Sequence, residues 1–509
     1  TTLTLTHAGT GTLTFIGSAE TDGGKFSITG GGGVDNITGG SGDDTFTFVA
    51  GTGLTTDTVN GGAGIDTVTL TGTTAVTAAQ FNSVSNIEAI TLPDMTNTAV
   101  SITTPAGLVA TGATLTLSNA SNSGILTFNG SAETDSNFNI TGGSNNDSIT
   151  GGAGNDTITG GDGNDDMTAG LGNDTLSGDS GTDIFRLAAV TGLTSADTVD
   201  GGTGTDTVAL TGNTAFTVSN DFDNVKNIET ITLGNTSTAV SITTKDTLVA
   251  AGVTLTLSTT TTGVLTFDGS KEEDGVFNIT SNSGNDIITG GKGNDVINGG
   301  NGTNNISGGE GNDTITGGTG NDTLDGGAGN DTINDSGGTN TITAGLGNDT
   351  ITGGTGSDTF TFAAVTGLTS ADTVDGGTGT DTVALTGDTV FTATNDFDNV
   401  SNIETITLTN TTTAVTITTQ NALVASGATL TLSNAVNSGA LTFNGSAETN
   451  GNFNITGGTS NDSITGGAGA DTLVGGTGND SITGGEGADT ISSGMGADTI
   501  NLTESTPVA

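Results

Sequence analysis

The residues whose types and spacing could do chemistry are aspartates that recur nine apart behind glycines. Gly151-Gly152-Ala153-Gly154-Asn155-Asp156-Thr157-Ile158-Thr159 shows the pattern, G-G-x-G-x-D-x-U-x with U a large apolar residue. The register is carried first by Asp35, Asp44 and Asp66, then by Asp147, Asp156, Asp165, Asp174, Asp183 and Asp206. It continues through Asp286, Asp295, Asp313, Asp322, Asp331, Asp349, Asp358 and Asp381, and closes with Asp462, Asp471, Asp480, Asp489 and Asp498. Glycine tolerates positive φ, so G-G-x-G-x-D suits a tight turn in which backbone carbonyls approach one point. The aspartate adds a carboxylate there. Calcium takes six to eight oxygen ligands and mixes carboxylates with carbonyls, so the expected chemistry is calcium binding, roughly one ion per nonapeptide.

Such turns need elements to hold them. The residue two places after each aspartate is apolar, as at Ile37, Phe46, Ile149, Met167, Phe185, Ile288, Leu324, Phe360, Leu473 and Ile500. The x-U-x triplet therefore reads as a short strand with U turned inward. Two nonapeptides complete one flattened coil, and coils stack at about 4.7–4.9 Å, the spacing of strands in any sheet. The fold class expected is all-β: an elongated right-handed parallel β-roll or β-helix solenoid.

A longer period encloses the short one. Phe81 to Leu92, with Asn-Ile-Glu inside it, recurs as Phe222 to Leu233 and Phe397 to Leu408. The connecting spans Asp66–Asp147, Asp206–Asp286 and Asp381–Asp462 are equal in length to within a single residue. The nonapeptide blocks vary instead: Asp286–Asp381 exceeds Asp147–Asp206 by four whole repeats. Growth in whole repeats is expected where each coil touches only its neighbours. Connecting segments such as Leu3–Thr6 and Ala99–Thr103 alternate apolar residues with Thr or Ser, the period of a half-buried strand. They are expected to continue the solenoid, with a short helix near Asn395–Ile403. The irregular stretch Val190–Gly202, repeated as Val365–Gly377, reads as a five-residue bulge. The division is a partial connecting module at 1–29, blocks at 30–68, 142–208, 281–383 and 457–509, and connecting modules at 69–141, 209–280 and 384–456.

Charge bounds the partners. Fifty-five acidic residues face six basic ones, for a formal charge of −49 over 509 residues. Self-repulsion of that size opposes compaction. About 20 divalent ions would bring roughly +40 against it. Ion binding then becomes folding free energy. Lys25, Arg186, Lys226, Lys245, Lys271 and Lys292 are scattered, and phosphate binding needs a basic surface, so no nucleic-acid partner is expected. No apolar run approaches the ~18 residues of a membrane span. Absence of cysteine suits an extracellular bacterial protein. The start at Thr1 without a visible signal peptide suggests a processed form or a segment.

Catalysis has little to work with, and no enzyme activity is expected. His7 is the single histidine, which leaves no triad and no zinc site. Without Trp or Tyr there is no platform for a sugar. Glu88, Glu229 and Glu404 recur in Asn-Ile-Glu, read as polar residues entering a strand, with a role as extra calcium ligands left open.

The repeats resemble the RTX family of secreted bacterial proteins, in which this nonapeptide forms a calcium-binding β-roll. The resemblance covers Gly30–Asp66, Gly142–Asp206, Ser281–Asp381 and Gly457–Asp498. It implies that each sixth-position aspartate is a calcium ligand, helped by carbonyls such as those of Gly152 and Gly154. Asn304 and Asn340 stand in aspartate slots, so weaker or empty ion sites are expected there. Ser281-Asn282 and Gly178-Asp179 replace glycine pairs, and Asp57 keeps the register without its glycines. The connecting modules resemble those of RTX-type surface-layer proteins and large repeat adhesins. The implied function is a secreted structural protein that folds on calcium outside the cell and assembles with itself into a surface layer or filament. Cell-surface polysaccharide is a further expected partner, and a type I-like route the expected export. The alternatives are the spacer of an RTX adhesin and the export module of a secreted enzyme.

Overall fold

The computed structural model describes residues 1–93, 97–188, 193–211, 222–234, 239–259, 262–363, 367–386, 397–409 and 412–502. The chain forms two compact units, Thr1–Thr260 and Thr261–Ala509. Each is a β-solenoid of parallel strands. The helical element among the described residues is the 3-10 turn Ala78–Phe81.

The nonapeptide sets the coil. In the first unit, strands Thr157–Asp162 and Thr175–Gly181 lie in one sheet, and Asp166–Thr168 and Ile184–Ala188 in the other. Ile158 pairs with Leu176 and Met167 with Phe185, each partner two nonapeptides further along. Consecutive repeats thus take opposite sheets, and every second repeat stacks. The U side chains form the core: Ile149, Ile158, Met167, Leu176 and Phe185 are fully buried. The second unit repeats this arrangement, with Ile306 on Leu324 on Ile342 in one sheet and Ile297 on Ile315 on Ile333 in the other.

Connecting segments continue the same winding with longer coils. Val68 pairs with Ile90, Ile90 with Leu117, Leu117 with Ile140, and Ile140 with Ile158. The coil is longest between Ile90 and Leu117, and by Ile140 to Ile158 it has returned to two nonapeptides. Each module ends on an edge-to-face phenylalanine pair, Phe128–Phe138 and Phe267–Phe277 among them, with centroids 5.1 and 5.0 Å apart. Such pairs contribute about 0.5–1.5 kcal/mol beyond area burial. The bulge after Asp183 lengthens its coil by five residues, so that Leu176 pairs with Val199 and Phe185 with Val208. Leu193 of the bulge is buried and Thr194–Asp197 forms a turn. Residues 190–192 and 365–366 of the two bulges lie outside the described residues. So do 395 and 396 of the expected helix near Asn395–Ile403. Its described part is a turn leading into the strand Val400–Ser401 rather than a helix.

Stacking at sheet spacing leaves no room for a side chain at some turns. Gly181 has φ 148°, and a methyl group there would lie 1.4 Å from the Gly163 carbonyl oxygen of the coil below. Gly181→Ala is therefore expected to destabilise the second block by roughly 3 kcal/mol or more. Gly11→Ala, with open space at that position, is expected to be nearly neutral. Thermal melts of the two variants in calcium check both.

Candidate metal centres

The strands place one aspartate per coil on each edge of the roll, and the carboxylates form ladders. Asp165 Oδ1 accepts from the Asp147 N–H at 2.7 Å, Asp174 Oδ1 from Asp156 at 2.8 Å, and Asp183 Oδ1 from Asp165 at 2.8 Å. In the second unit Asp313 accepts from Asp295 at 2.8 Å, Asp331 from Asp313 at 2.9 Å and Asp349 from Asp331 at 2.9 Å. Each carboxylate thus reaches back one coil, a charge-assisted bond worth about 1.5–3 kcal/mol. The asparagine before it reaches forward: Asn155 Oδ1 accepts from the Asn173 N–H at 2.9 Å, and Asn312 from Asn330 at 2.6 Å. The Asn-Asp dipeptide therefore ties each coil to both neighbours.

The second carboxylate oxygen divides the sites. In the first coils of a block it accepts from the second glycine, as Asp147 Oδ2 does from Gly143 at 2.6 Å and Asp156 Oδ2 from Gly152 at 2.8 Å. Further into the blocks it has no donor. Oδ2 of Asp66, Asp165, Asp174, Asp183, Asp206, Asp313, Asp331, Asp349, Asp358 and Asp381 is buried without a hydrogen-bond partner. Buried acceptors left in that state are rare and require an explanation. The basic residues do not supply one. Lys25, Arg186, Lys226, Lys245 and Lys292 pair with Asp43, Asp166, Asp200, Asp223 and Glu273, none of them a ladder carboxylate.

The orphan oxygens face backbone carbonyls. A methyl group at Gly308 would lie 2.2 Å from Asp313 Oδ2 and 2.6 Å from Gly326 O. At Gly178 the same test meets Asp183 Oδ2 at 2.3 Å and Gly201 O at 2.5 Å. First-position glycine leaves a cradle lined by carboxylate and carbonyl oxygens, and this donor set fits a hard divalent cation. The residues that would hold calcium are the ladder aspartates and first-position glycine carbonyls. The ion would supply the positive charge that the chain does not.

Electrostatics agree. Burial pushes the Asp165 carboxyl up to about 7; the bond from the Asp147 N–H opposes this, and the charges of Asp147 and Asp183 add to it. Asp66, Asp174 and Asp313 are also raised to about 7, burial being the largest cause in each. Asp156 and Asp295, whose Oδ2 has a donor, reach about 6. Without metal, the folded state thus holds protons that an unfolded chain with carboxyls at 3.8 releases. Stability of the calcium-free fold is greatest below about pH 4 and falls as pH rises through 6 to 7. In chelator, circular dichroism is expected to show more sheet at pH 4.5 than at pH 8. With calcium the trend reverses, since protons compete with the ion.

The expected ligands do not all sit alike. Asp35, Asp44, Asp462 and Asp471 belong with the first-coil type, each Oδ2 taking an N–H from the second glycine. Asp480 Oδ2 is an orphan. Asp489 and Asp498 extend the ladder, accepting from Asp471 and Asp480 at 3.0 and 3.1 Å, but are more exposed than the rest. Ser281 Oγ donates to Asp286 Oδ2, so that oxygen is already satisfied. Asn304 and Asn340 keep the ladder bond, accepting from Asp286 at 3.0 Å and Asp322 at 2.9 Å. Each puts an amide where its neighbours put an oxygen. Asp179 takes its glycine slot at φ 70°.

Several ladder members lie outside the ligands expected from the nonapeptide. Asp57 accepts from Asp35 at 2.8 Å, Asp197 from Asp174 at 2.6 Å and Asp372 from Asp349 at 2.7 Å. Glu88, Glu229 and Glu404 end ladders, their Oε2 accepting from Asp66 at 2.9 Å, Asp206 at 2.7 Å and Asp381 at 2.9 Å. A signal for them exists in the chain: Glu229 follows Asp206 by the same step that separates Asp206 from Asp183. His7, at the start of the first unit, lies 3.8 Å from Asp35 Oδ1.

Fold and site together define a calcium-binding β-solenoid. Comparison with known families agrees. The RTX calcium-binding nonapeptide repeat matches residues 141–176, 160–188, 190–210, 278–306, 298–333, 334–364, 365–388, 449–481 and 465–500. Over these residues the chain carries multiple RTX calcium-binding nonapeptide repeats. The block at 30–68 lies outside the matched residues. No curated protein matches the chain.

Proposed function

We propose that this protein is a secreted structural protein of the bacterial cell surface, without catalytic activity, that folds as calcium binds outside the cell and assembles with itself into a surface layer or filament. The observation that carries the reading is the stack of buried carboxylates whose second oxygens have no donor and no basic partner. An array of this kind suits a chain kept unfolded where calcium is low and condensed where it is high. RTX repeat proteins are typically secreted. Among the described residues no helix is long and apolar enough to cross a membrane.

Electron microscopy of the purified protein tests the proposal. Ordered sheets or fibres in calcium, absent in chelator, are expected. Monomers at every calcium concentration would overturn the assembly.

A further inference from the structure

Nothing in the repeat pattern calls for Asp335. It stands in the first-glycine slot of its nonapeptide, Asp335-Ser336-Gly337-Gly338-Thr339-Asn340, and in the same repeat Asn340 replaces the usual sixth-position aspartate. The buried position of Asp335 sets it against a ladder carboxylate. Asp335 is 6% exposed and Asp322 2%, and Oδ2 of each is buried without a hydrogen-bond partner. A methyl group at Gly317 would lie 2.1 Å from Asp335 Oδ2 and 2.9 Å from Asp322 Oδ2. In ordinary cradles the place of Asp335 Oδ2 belongs to a neutral carbonyl, as Gly326 O does beside Asp313.

We propose that Asp322 and Asp335 form a two-carboxylate divalent-cation site that fills at lower calcium than the other repeats, a reading that rests on the calcium-binding role proposed above. Asp335 Oδ1 is held by the Gly337 N–H at 2.7 Å, which leaves Oδ2 turned to Asp322. Asn340 Oδ1 anchors the Asp322 N–H at 2.9 Å, so Asp322 keeps its place in the ladder. Two facing carboxylates repel unless a proton or a cation lies between them. Calcium affinity climbs with the charge count of the ligands, so this site surpasses its one-carboxylate neighbours. Ser281 is the contrast: it fills the corresponding slot before Asp286 with a hydroxyl that satisfies the carboxylate.

The test is competition of the full chain against a chromophoric calcium chelator at sub-stoichiometric calcium, where the tightest sites are read first. Wild type is expected to show about one ion per chain held roughly tenfold or more tighter than the rest. Asp335→Gly, which restores the residue usual in the repeat, and Asp335→Asn, which keeps the shape, are both expected to lose that ion from the tight class. Their sheet signal at saturating calcium is expected to match wild type. Wild-type and variant curves that superimpose, with calcium still bound by all three, overturn this site alone. A wild type that takes up no calcium overturns the calcium reading and this site with it.

Discussion

In chelator at neutral pH, the protein is expected to lose its sheet circular dichroism and to expand toward the ~80 Å radius of gyration of an unfolded chain of this length. Two terms set the size of the effect. The chain carries −49 with six basic residues, and five of those are committed to acids outside the ladders. The ladders then bury a carboxylate at nearly every coil, and burying an ionised group without a counter-charge is worth several kcal/mol against folding. Thin solenoid coils with 18 phenylalanines and no Trp or Tyr have limited apolar area to offset this. Calcium is expected to restore the sheet signal cooperatively, because each ion joins neighbouring coils. Magnesium is expected to restore much less, since it demands tighter octahedral geometry and gives up its water reluctantly. An unchanged spectrum after exhaustive chelation would sink the account.

Asp313→Asn is expected to change sign with calcium. Asn304 and Asn340 show that asparagine preserves the ladder bond, so the variant should still accept from the Asp295 N–H. It removes one buried charge raised to about 7 by burial and by the charges of Asp295 and Asp331. In chelator at pH 8 the variant is therefore expected to be the more stable, by about 1 kcal/mol after allowing for solvent screening. In saturating calcium it is expected to be the less stable, because the Oδ2 beside Gly326 O is gone and one ion goes with it. Asp313→Ala separates the two roles. It leaves the Asp295 N–H buried without an acceptor, a loss of about 1–3 kcal/mol in either condition. Osmolyte-driven refolding in chelator, where the chain starts unfolded, and urea melts in calcium read all of these for the three proteins. Equal destabilisation by Asn and Ala in chelator would refute the charge argument.

Much of this is legible in the order of the amino acids. The phase of Ile158, Met167, Leu176 and Phe185 behind their aspartates requires one inward residue per nonapeptide, and the structure buries all four. Block lengths that differ by four whole repeats point to stacking by coils. The short helix expected near Asn395–Ile403 is absent from the described part of that stretch, which turns directly into a strand. Glu88, Glu229 and Glu404 look like polar residues entering a strand, since nothing local distinguishes them. Their role rests on the backbone of Asp66, Asp206 and Asp381, one coil below.

The amino-acid order by itself determined the coil: glycine turns are local, the apolar phase is local, and a nine-residue period leaves two repeats per turn. Tertiary structure alone decided which oxygens meet. The residue stacked on a given aspartate lies 18 positions on in a block, and 22 or 23 beyond a bulge or at a module entry. An inserted segment alters that number while preserving the spatial neighbour. An acid can join a ladder or face a second acid as Asp322 faces Asp335. Which of these happens depends on the coil above it, and coil length is set by the whole turn rather than by any motif.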